Sequence, residues 1–547
     1  MKNKTILSIL LIFAVFYASG QSNVKTNILN HVAKLDSLSQ KWNTNKTPGL
    51  SIAIVENNSI LYSSNVGMAN LNKNNKITSK TTFNLASLTK QFVAYSILLL
   101  EEDGKLSLDD DIRKYLPEME YMGLTVRHLL NHSSGIPEYW GIWSLSSFKG
   151  DSIEDIYDVL KAQKQTKFRP GNKYEYSNSN YILLSLIVKR VSGLALNDFT
   201  HENIFKKLGM SHTYFLKDSI RMDTNQAENY QFDGRNYIAS PQTISDIIGD
   251  GGLFSSIEDL IVWDKTFYDN SAISNKRKVV GVLNSGISSL YGAGLQKYTK
   301  GGILSYEHGG GAQGASCYLA QFPNHNISII VLANTDEVNA VAIYEAIKSI
   351  VFPKEKNSAE SLNMNNTNYM HKLEASKLKA IVGEYYGFSN ETATTFKIGI
   401  IDNDTLIGNS NGNPSRKYVQ TNKNEFSAAD LPDLKLKIQL DEITIRYQQY
   451  DIGVFWKVNQ NVNIDLAEII GTYSSSSINN GLWSISKSGK DITVITPRLK
   501  SFTAKHVGNN LFILKEMNIL LLFEKETTKV SLKLIHQGAG KIILQKQ

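Results

Sequence analysis

The sequence predicts an α/β (α+β) region whose sheet turns antiparallel toward its end, followed by antiparallel, barrel-like β units. Three observations carry that prediction. Phe92, Val93, Ile97, Leu98, Leu99 and Leu100 form a run apolar almost all round that stops at Glu101-Glu-Asp-Gly104, the pattern of a helix buried at the centre of a core. Helical and strand-like runs alternate up to about residue 353. Beyond residue 371 the chain changes to short alternating runs such as Leu436-Lys-Ile-Gln-Leu440 and Ile443-Thr-Ile-Arg-Tyr447, which read as strands.

Taken in order, Met1-Lys-Asn-Lys4, an apolar stretch from Ile6 to Tyr17 and Ala18-Ser-Gly20 make a basic, apolar and small-residue sequence. That order predicts a secretory signal peptide over 1–20, cleaved before Gln21. The apolar zone falls short of the ~20 residues a membrane span needs, and no lipidated cysteine follows it. An exported protein, periplasmic or secreted from a bacterium, is expected, with no stable membrane anchor after cleavage. Losing Lys2 and Lys4 takes the formal charge from +7 to +5, too mild a surplus to imply nucleic-acid binding. The one cysteine, Cys317, lies in the strand-like run Ala315–Ala320, so no intrachain disulfide forms and a buried core thiol is expected.

Gly49–Val55 and Ile60–Tyr62 flank Asn57-Asn58 and read as a hairpin. Phe83-Asn-Leu-Ala-Ser-Leu-Thr-Lys-Gln-Phe92 then opens the core helix. Ser87 and Lys90, three apart, share one helix face. A serine hydroxyl is a weak nucleophile until a base takes its proton. A lysine drawn into a desolvated pocket loses proton affinity and can serve. The helix N-terminus also offers free N–H groups to a developing oxyanion.

Thr125–Leu130 reads as a helix running into Asn131-His-Ser-Ser-Gly-Ile-Pro137. His128 and His132 stand four apart, but no acidic residue lies between them and no third ligand is near, so no metal site and no cofactor are expected. Tyr139-Trp-Gly-Ile-Trp143 reads as an aromatic loop, either rimming a pocket or packed on the core. Tyr176-Ser-Asn178 follows a Pro-Gly turn, where a phenol and an amide can face a cleft, and the apolar helix Ile182–Val191 comes next. Gly249–Ser256 leads into a helix around Asp259, Leu260 and Trp263. Tyr306-Glu-His-Gly-Gly-Gly-Ala-Gln-Gly314 interrupts two strand-like runs. There His308-Gly-Gly310 sits at a strand edge, with glycines that let backbone approach a substrate.

The polar stretch 354–371 is a linker. After it, Leu378-Lys-Ala-Ile-Val-Gly-Glu-Tyr385 resembles Leu466-Ala-Glu-Ile-Ile-Gly-Thr-Tyr473, with four identities in eight positions. Each copy opens a section of roughly equal length. The organisation is therefore 1–20 signal peptide, 21–353 main domain, 354–371 linker, and β-barrel-like units over 372–460 and 461–547. One larger barrel built from both copies is the alternative.

Ser87-x-x-Lys90, Tyr176-x-Asn178 and His308-x-Gly310 in this order resemble the serine β-lactamase-like hydrolases. These include class C β-lactamases, D-alanyl-D-alanine carboxypeptidases, D-aminopeptidases and related esterases. Arg127–Gly135, Ile204–Met210 and Gly251–Leu260 support the resemblance, which covers roughly 35–350. It implies a β-lactamase/transpeptidase-like fold, an antiparallel sheet with a helical cluster. It also implies Ser87 as acylated nucleophile, with Lys90 and Tyr176 sharing the proton transfers and lowering of the phenol by Lys90 and His308. Asn178 would bind the substrate carbonyl, His308 and Gly310 would line the site, and the N–H groups of Ser87 and Gly311 would form the oxyanion hole. The β-lactamases of this group carry Lys-Thr-Gly where this chain has His308-Gly-Gly310, so the chain looks more like the peptidase and esterase members. The expected function is an exported serine hydrolase acting on a peptide, D-amino-acid amide or ester. The alternatives are a β-lactamase or carboxypeptidase of the same fold, and a non-catalytic receptor for cell-wall fragments or β-lactams.

Overall fold

The computed structural model describes residues 24–353 apart from 173, 217–224, 241–246, 270, 272, 274–290 and 301. It also describes 375–547 apart from 390–391, 403–404, 411–414, 423, 430, 440–441, 448–449, 458–464, 509–510, 518, 527–528 and 537–538. The signal-peptide segment and the linker 354–371 lie outside the described residues.

The first β-strands are β1 (Leu50–Glu56) and β2 (Ser59–Val66). Asn57 and Asn58 join them with φ of 48° and 65°. Two successive left-handed residues make the tight primed turn that matches strand twist, and asparagine tolerates it. Later come β3 (Tyr291–Gly292), β4 (Leu295–Lys300), β5 (Ile303–Ala312), β6 (Ala315–Phe322) and β7 (Ile327–Ala333). They form one antiparallel sheet in the order β3-β4-β5-β6-β7-β1-β2. Its central strands are covered on both faces. In β7, Ile329, Val331 and Ala333 point into one core with Tyr344 and Ile347, while Ile330 and Leu332 point into another. That alternation is the period of two a pleated strand imposes.

The helices that matter to the site are α1 (Lys90–Glu102), α2 (Val126–Leu130), α3 (Tyr139–Leu145), α4 (Asn178–Ser192), α5 (Ile257–Tyr268) and α6 (Ala340–Val351). As its sequence predicts, α1 is buried on nearly every side. Phe92 stacks on Trp263 of α5, with ring centroids 4.1 Å apart. The tryptophan indole donates to Gln91. Helix α6 covers the opposite face of the sheet. Two expectations are corrected here. The aromatic stretch 139–143 is helical, α3, because packing against both neighbours outweighs its modest helix propensity. The glycines after His308 do not interrupt a strand but lie within β5, whose partner β6 pairs them as far as Ala312.

Two closed barrels follow, each of eight strands, the first from Gly383–Ser389 to Tyr450–Lys457 and the second from Gly471–Ser474 to Gly540–Lys546. The two copies of the internal repeat stand at their entrances. Tyr385 OH donates to Ile381 O at 2.6 Å and Tyr473 OH to Ile469 O at 2.8 Å. In each case the phenol satisfies a carbonyl at the end of a short helix, Ala375–Ile381 or Leu466–Ile469, where carbonyls have no partner within the helix. Among the described residues no helix is long and apolar enough to cross a membrane.

Candidate active site

A strained turn presents Ser87. Ala86 has φ of +44°, a left-handed conformation that a side chain makes costly by about 1–2 kcal/mol. Asn84 Oδ1 holds it by accepting from the Ala86 N–H at 2.9 Å. The chain then makes a 3₁₀ turn, Ala86–Thr89, that feeds directly into α1 at Lys90. Strand β5 lies hard against this turn. A Cβ on Gly310 would come within 2.4 Å of Leu85 O and 2.5 Å of Cys317 Sγ. Only glycine fits between strand and turn at that point. At Gly311 a Cβ would meet nothing within 4 Å, so this stretch of backbone faces open space. The neighbouring strand β4 pairs with β5 only from Ile303 to Glu307, which leaves that flank of β5 uncovered by β4 from His308 onward. Cys317 is buried, as expected, and its thiol donates to Leu85 O at 3.0 Å.

Lys90 is fully buried. Its Nζ donates to Ser87 Oγ at 3.0 Å, to Asn178 Oδ1 at 2.8 Å and to Asp250 O at 2.6 Å. An ammonium has three donors, and all three are used. Burial pulls its pKa down to about 8, opposed by the charges of Asp250 and Glu138. A neutral amine would keep two of these bonds and accept the third from the Ser87 hydroxyl. From the other side Tyr176 OH donates to Ser87 Oγ at 3.1 Å. Tyr176 stands one residue before Ser177, the N-cap of α4, and Asn178 is the first residue of that helix. Since Asn178 Oδ1 receives Lys90, its amide NH₂ is the end free to turn to a ligand.

His308 stands farther off. Its ring centroid is 6.2 Å from that of Tyr176. Nδ1 lies 2.6 Å from Gly309 O and Nε2 2.9 Å from Tyr291 OH. A carbonyl accepts only, so Nδ1 carries the proton and Nε2 accepts from the tyrosine. Burial, with the charge of Lys90, drives its pKa to about 3. The expectation that His308 helps lower the Tyr176 phenol needs correction on physical grounds, because a neutral ring adds no positive charge. Lys90, 5.0 Å from the Tyr176 ring centroid, is the cation beside it.

Sequence reasoning missed the residues that support this centre. His132, considered there only as a metal ligand, is buried with φ +54° and packs against Tyr176 at 4.3 Å between centroids. Its Nδ1 takes Asn180 Nδ2 at 2.9 Å and Ser177 N–H at 3.3 Å, and burial holds it neutral. His128 instead caps its own helix: its Nδ1 accepts the Thr125 N–H while Thr125 Oγ1 accepts the His128 N–H, a reciprocal capping box. No cluster of three or more His, Cys, Asp or Glu able to hold a metal occurs among the described residues. Glu138 Oε2 accepts the Asn178 N–H at 2.6 Å, and Tyr139 OH donates to Asp250 Oδ2 at 2.8 Å. Asp250 lay inside a stretch already singled out by pattern and Glu138 fell between two of them, but nothing local marks a carboxylate that long-range packing will bury.

Comparison with known proteins agrees with this geometry. A family model described as Beta-lactamase matches residues 35–351, more than half of the 547-residue chain, and the chain belongs to that family. Penicillin-binding protein 4* of Bacillus subtilis (strain 168) is 32% identical over 355 residues, covering 60% of this chain and 77% of its own length. A D-aminopeptidase of Brucella anthropi is 28% identical over 300 residues, and the alignment spans 53% of this chain and only 56% of the relative. The octameric penicillin-binding protein homologue from Pyrococcus abyssi has a TM-score of 0.51 at 24% identity, covering 78% of this chain and 99% of that one. SurE has a TM-score of 0.56 at 17% identity, covering 81% and 99%. These two likenesses show the fold. The protein is thus a Beta-lactamase-family serine hydrolase.

Proposed function

We propose that this hydrolase, exported from the cell, works through an acyl-enzyme on Ser87 and prefers uncharged amides or esters, D-amino-acid amides and short peptides among them. The observation that carries the reading is the double hold on one hydroxyl, by Lys90 at 3.0 Å and Tyr176 at 3.1 Å. With Lys90 poised near 8, about one amine in ten is neutral at pH 7. That fraction takes the Ser87 proton, directly or through the phenol, as Oγ attacks the carbonyl carbon. The negative charge on the carbonyl oxygen is met by the N–H groups of Ser87 and Gly311, one such donor being worth about 3–4 kcal/mol. Tyr176 and Lys90 return the proton to the leaving amine or alcohol, and water releases the acyl group by the same route. Asn178 orients the substrate carbonyl, and His308 with Gly310 forms the opposite wall.

The neutral state of His308 argues for uncharged substrates. Losing a charge-assisted contact costs a substrate carboxylate about 1.5–3 kcal/mol, or roughly 10–100-fold. The likeness to a penicillin-binding protein of Bacillus subtilis and to the Beta-lactamase family supports a second reading, a penicillin-binding or β-lactam-hydrolysing protein. One experiment separates them. A fluorophosphonate probe should label Ser87, found by mass spectrometry, and Ser87→Ala should abolish labelling and turnover without altering the melting temperature. On the purified wild type, kcat/KM for a p-nitrophenyl ester or a D-amino-acid amide should exceed that for a chromogenic cephalosporin. Preference for the cephalosporin establishes the second reading, and an inert Ser87 leaves a binding protein.

A further inference from the structure

Lys90 leans on two acceptors besides Ser87, and one dipeptide of α3 and its cap reaches both. Glu138 takes the backbone N–H of Asn178, whose side chain is one acceptor. Tyr139 donates its hydroxyl to the carboxylate of Asp250, whose backbone carbonyl is the other. The two bonds are short, 2.6 and 2.8 Å. Glu138 therefore fixes the first turn of α4 relative to α1, which decides where Asn178 points and how Lys90 is shared.

The same group poses a charge problem. Around Lys90 stand the carboxyls of Glu138 and Asp250, the phenols of Tyr139, Tyr176, Tyr181 and Tyr291, and the imidazoles of His132 and His308. Burial keeps both imidazoles neutral and the phenols of Tyr139, Tyr181 and Tyr291 protonated. One fully buried ammonium thus faces two partly buried carboxyls, and an uncompensated buried charge is expensive. One carboxyl should hold a proton. Asp250 Oδ2 has the Tyr139 hydroxyl, and backbone N–H groups of Asp250 and Gly251 also stabilise its charge. Backbone N–H groups of Asn178 and Trp140 likewise favour the charged form of Glu138. Among the described residues, however, no hydroxyl reaches it, and its Oε1 is buried without a hydrogen-bond partner. An orphaned carboxyl oxygen is where the proton costs least to keep.

We propose that Glu138 is a positioning residue of this site: its carboxyl group fixes Asn178 and, by keeping or releasing one buried proton to water, sets the charge balance under which Lys90 serves Ser87. Burial raises its pKa to about 7, opposed by the N–H groups of Asn178 and Trp140 and by Lys90, and helped by Asp250. The proposal rests on the acyl-enzyme reading for its catalytic half only. Its other half shows in stability. A carboxyl whose folded pKa is raised above 4.5 stabilises the fold below that value, and the contribution is lost as pH rises toward 7.

The test compares wild type with Glu138→Gln, which keeps an acceptor oxygen for Asn178 but cannot ionise, at pH 5 to 9. Removing the negative charge lowers the pKa of Lys90 and removes the titration of Glu138. The acidic limb of fluorophosphonate labelling should therefore move down by about half a pH unit or more. Independently of any activity, the melting temperature of wild type should fall relative to that of Glu138→Gln between pH 5 and 8. Glu138→Ala, without the acceptor, should lose labelling rate at least tenfold beyond Glu138→Gln. Parallel melting curves overturn the proposal whether or not Ser87 reacts. Shifted melting curves with superimposed labelling profiles overturn its catalytic half, while wild type unlabelled at every pH overturns the hydrolase reading instead.

Discussion

The two C-terminal barrels are built to one plan but are attached to the molecule differently. Each opens with a short helix capped by a buried tyrosine, and in each that tyrosine pairs across the first hairpin with a large aromatic residue. Tyr385 stands opposite Phe396 and Tyr473 opposite Trp483. The first barrel closes around a core of its own and meets the second through Tyr386, packed on Leu511, Ile513, Leu520 and Ile535. Apart from that small outer cluster, the described core of the second barrel is continuous with the hydrolase region. Tyr473, Trp483, Phe512 and Leu544 belong to the same continuous cluster as Phe92 and Trp263 of the hydrolase region. Its contact runs along α3: Trp483 Nε1 donates to Leu145 O at 3.1 Å, and a Cβ on Gly141 would strike Ala539 N at 2.7 Å. A sequence repeat therefore marks where a unit starts, whereas a few side chains decide whether it stands alone or supports the site.

Substituting the paired aromatics tests that difference most strongly. Trp483→Ala and Phe396→Ala each remove a buried aromatic, at a cost of about 3–5 kcal/mol in the surrounding unit. Both should melt earlier by calorimetry. Trp483→Ala alone also leaves the Leu145 carbonyl without its donor, loosening the end of α3, whose first residue holds Asp250. It should therefore slow acylation of Ser87 several-fold, while Phe396→Ala leaves the rate unchanged. Equal rates in the two variants would mean that the second barrel is as separate as the first.

A smaller effect is expected at Arg498. Its guanidinium donates to Trp143 O and Phe148 O and lies 4.4 Å from the Trp143 ring centroid. The side chain is exposed, so Arg498→Ala should cost about 2 kcal/mol, part cation–π and part hydrogen bonding. Arg498→Lys should recover less than half of that, because a single ammonium cannot reach both carbonyls in a planar fork. Denaturant melts of the two variants measure it. A neutral result would leave the barrel held by its apolar contact alone.

How much of this could be read from the sequence follows the same division. The buried α1, the 57–58 hairpin and the barrel entrances are legible because each is written in local periodicity or turn chemistry. Ser87, Lys90, Tyr176 and Asn178, which the structure brings within hydrogen-bonding reach, were legible as reactive residue types at short spacings. The aromatic stretch 139–143 was misread because its helix is stabilised from outside, by a barrel some 340 residues later. The glycines of β5 were misread as a break because a glycine run has weak strand propensity. Their role is to let the strand press against Leu85 and Ala86, a contact no local pattern records. Glu138 and Asp250 were invisible as functional groups for a like reason: their chemistry comes from burial by α1 and α4.

The smallest effect discriminates most finely, because it compares one chemical group in two places. Tyr385 and Tyr473 are both fully buried, and each phenol caps a helix-end carbonyl, at 2.6 and 2.8 Å respectively. Tyrosine to phenylalanine deletes one oxygen and leaves the ring to fill its space. The loss is then the hydrogen bond plus the stranding of a carbonyl, about 1 kcal/mol in each barrel. If the two barrels share one plan, Tyr385→Phe and Tyr473→Phe should cost the same within about 0.5 kcal/mol, a margin typical of independent sites. Neither should change Ser87 labelling, since both carbonyls lie at barrel entrances. A distinctly larger cost for Tyr473→Phe, or any loss of labelling with it, would show that the shared core couples even the entrance of the second barrel to the site. The second barrel would then be part of the hydrolase rather than an appended unit.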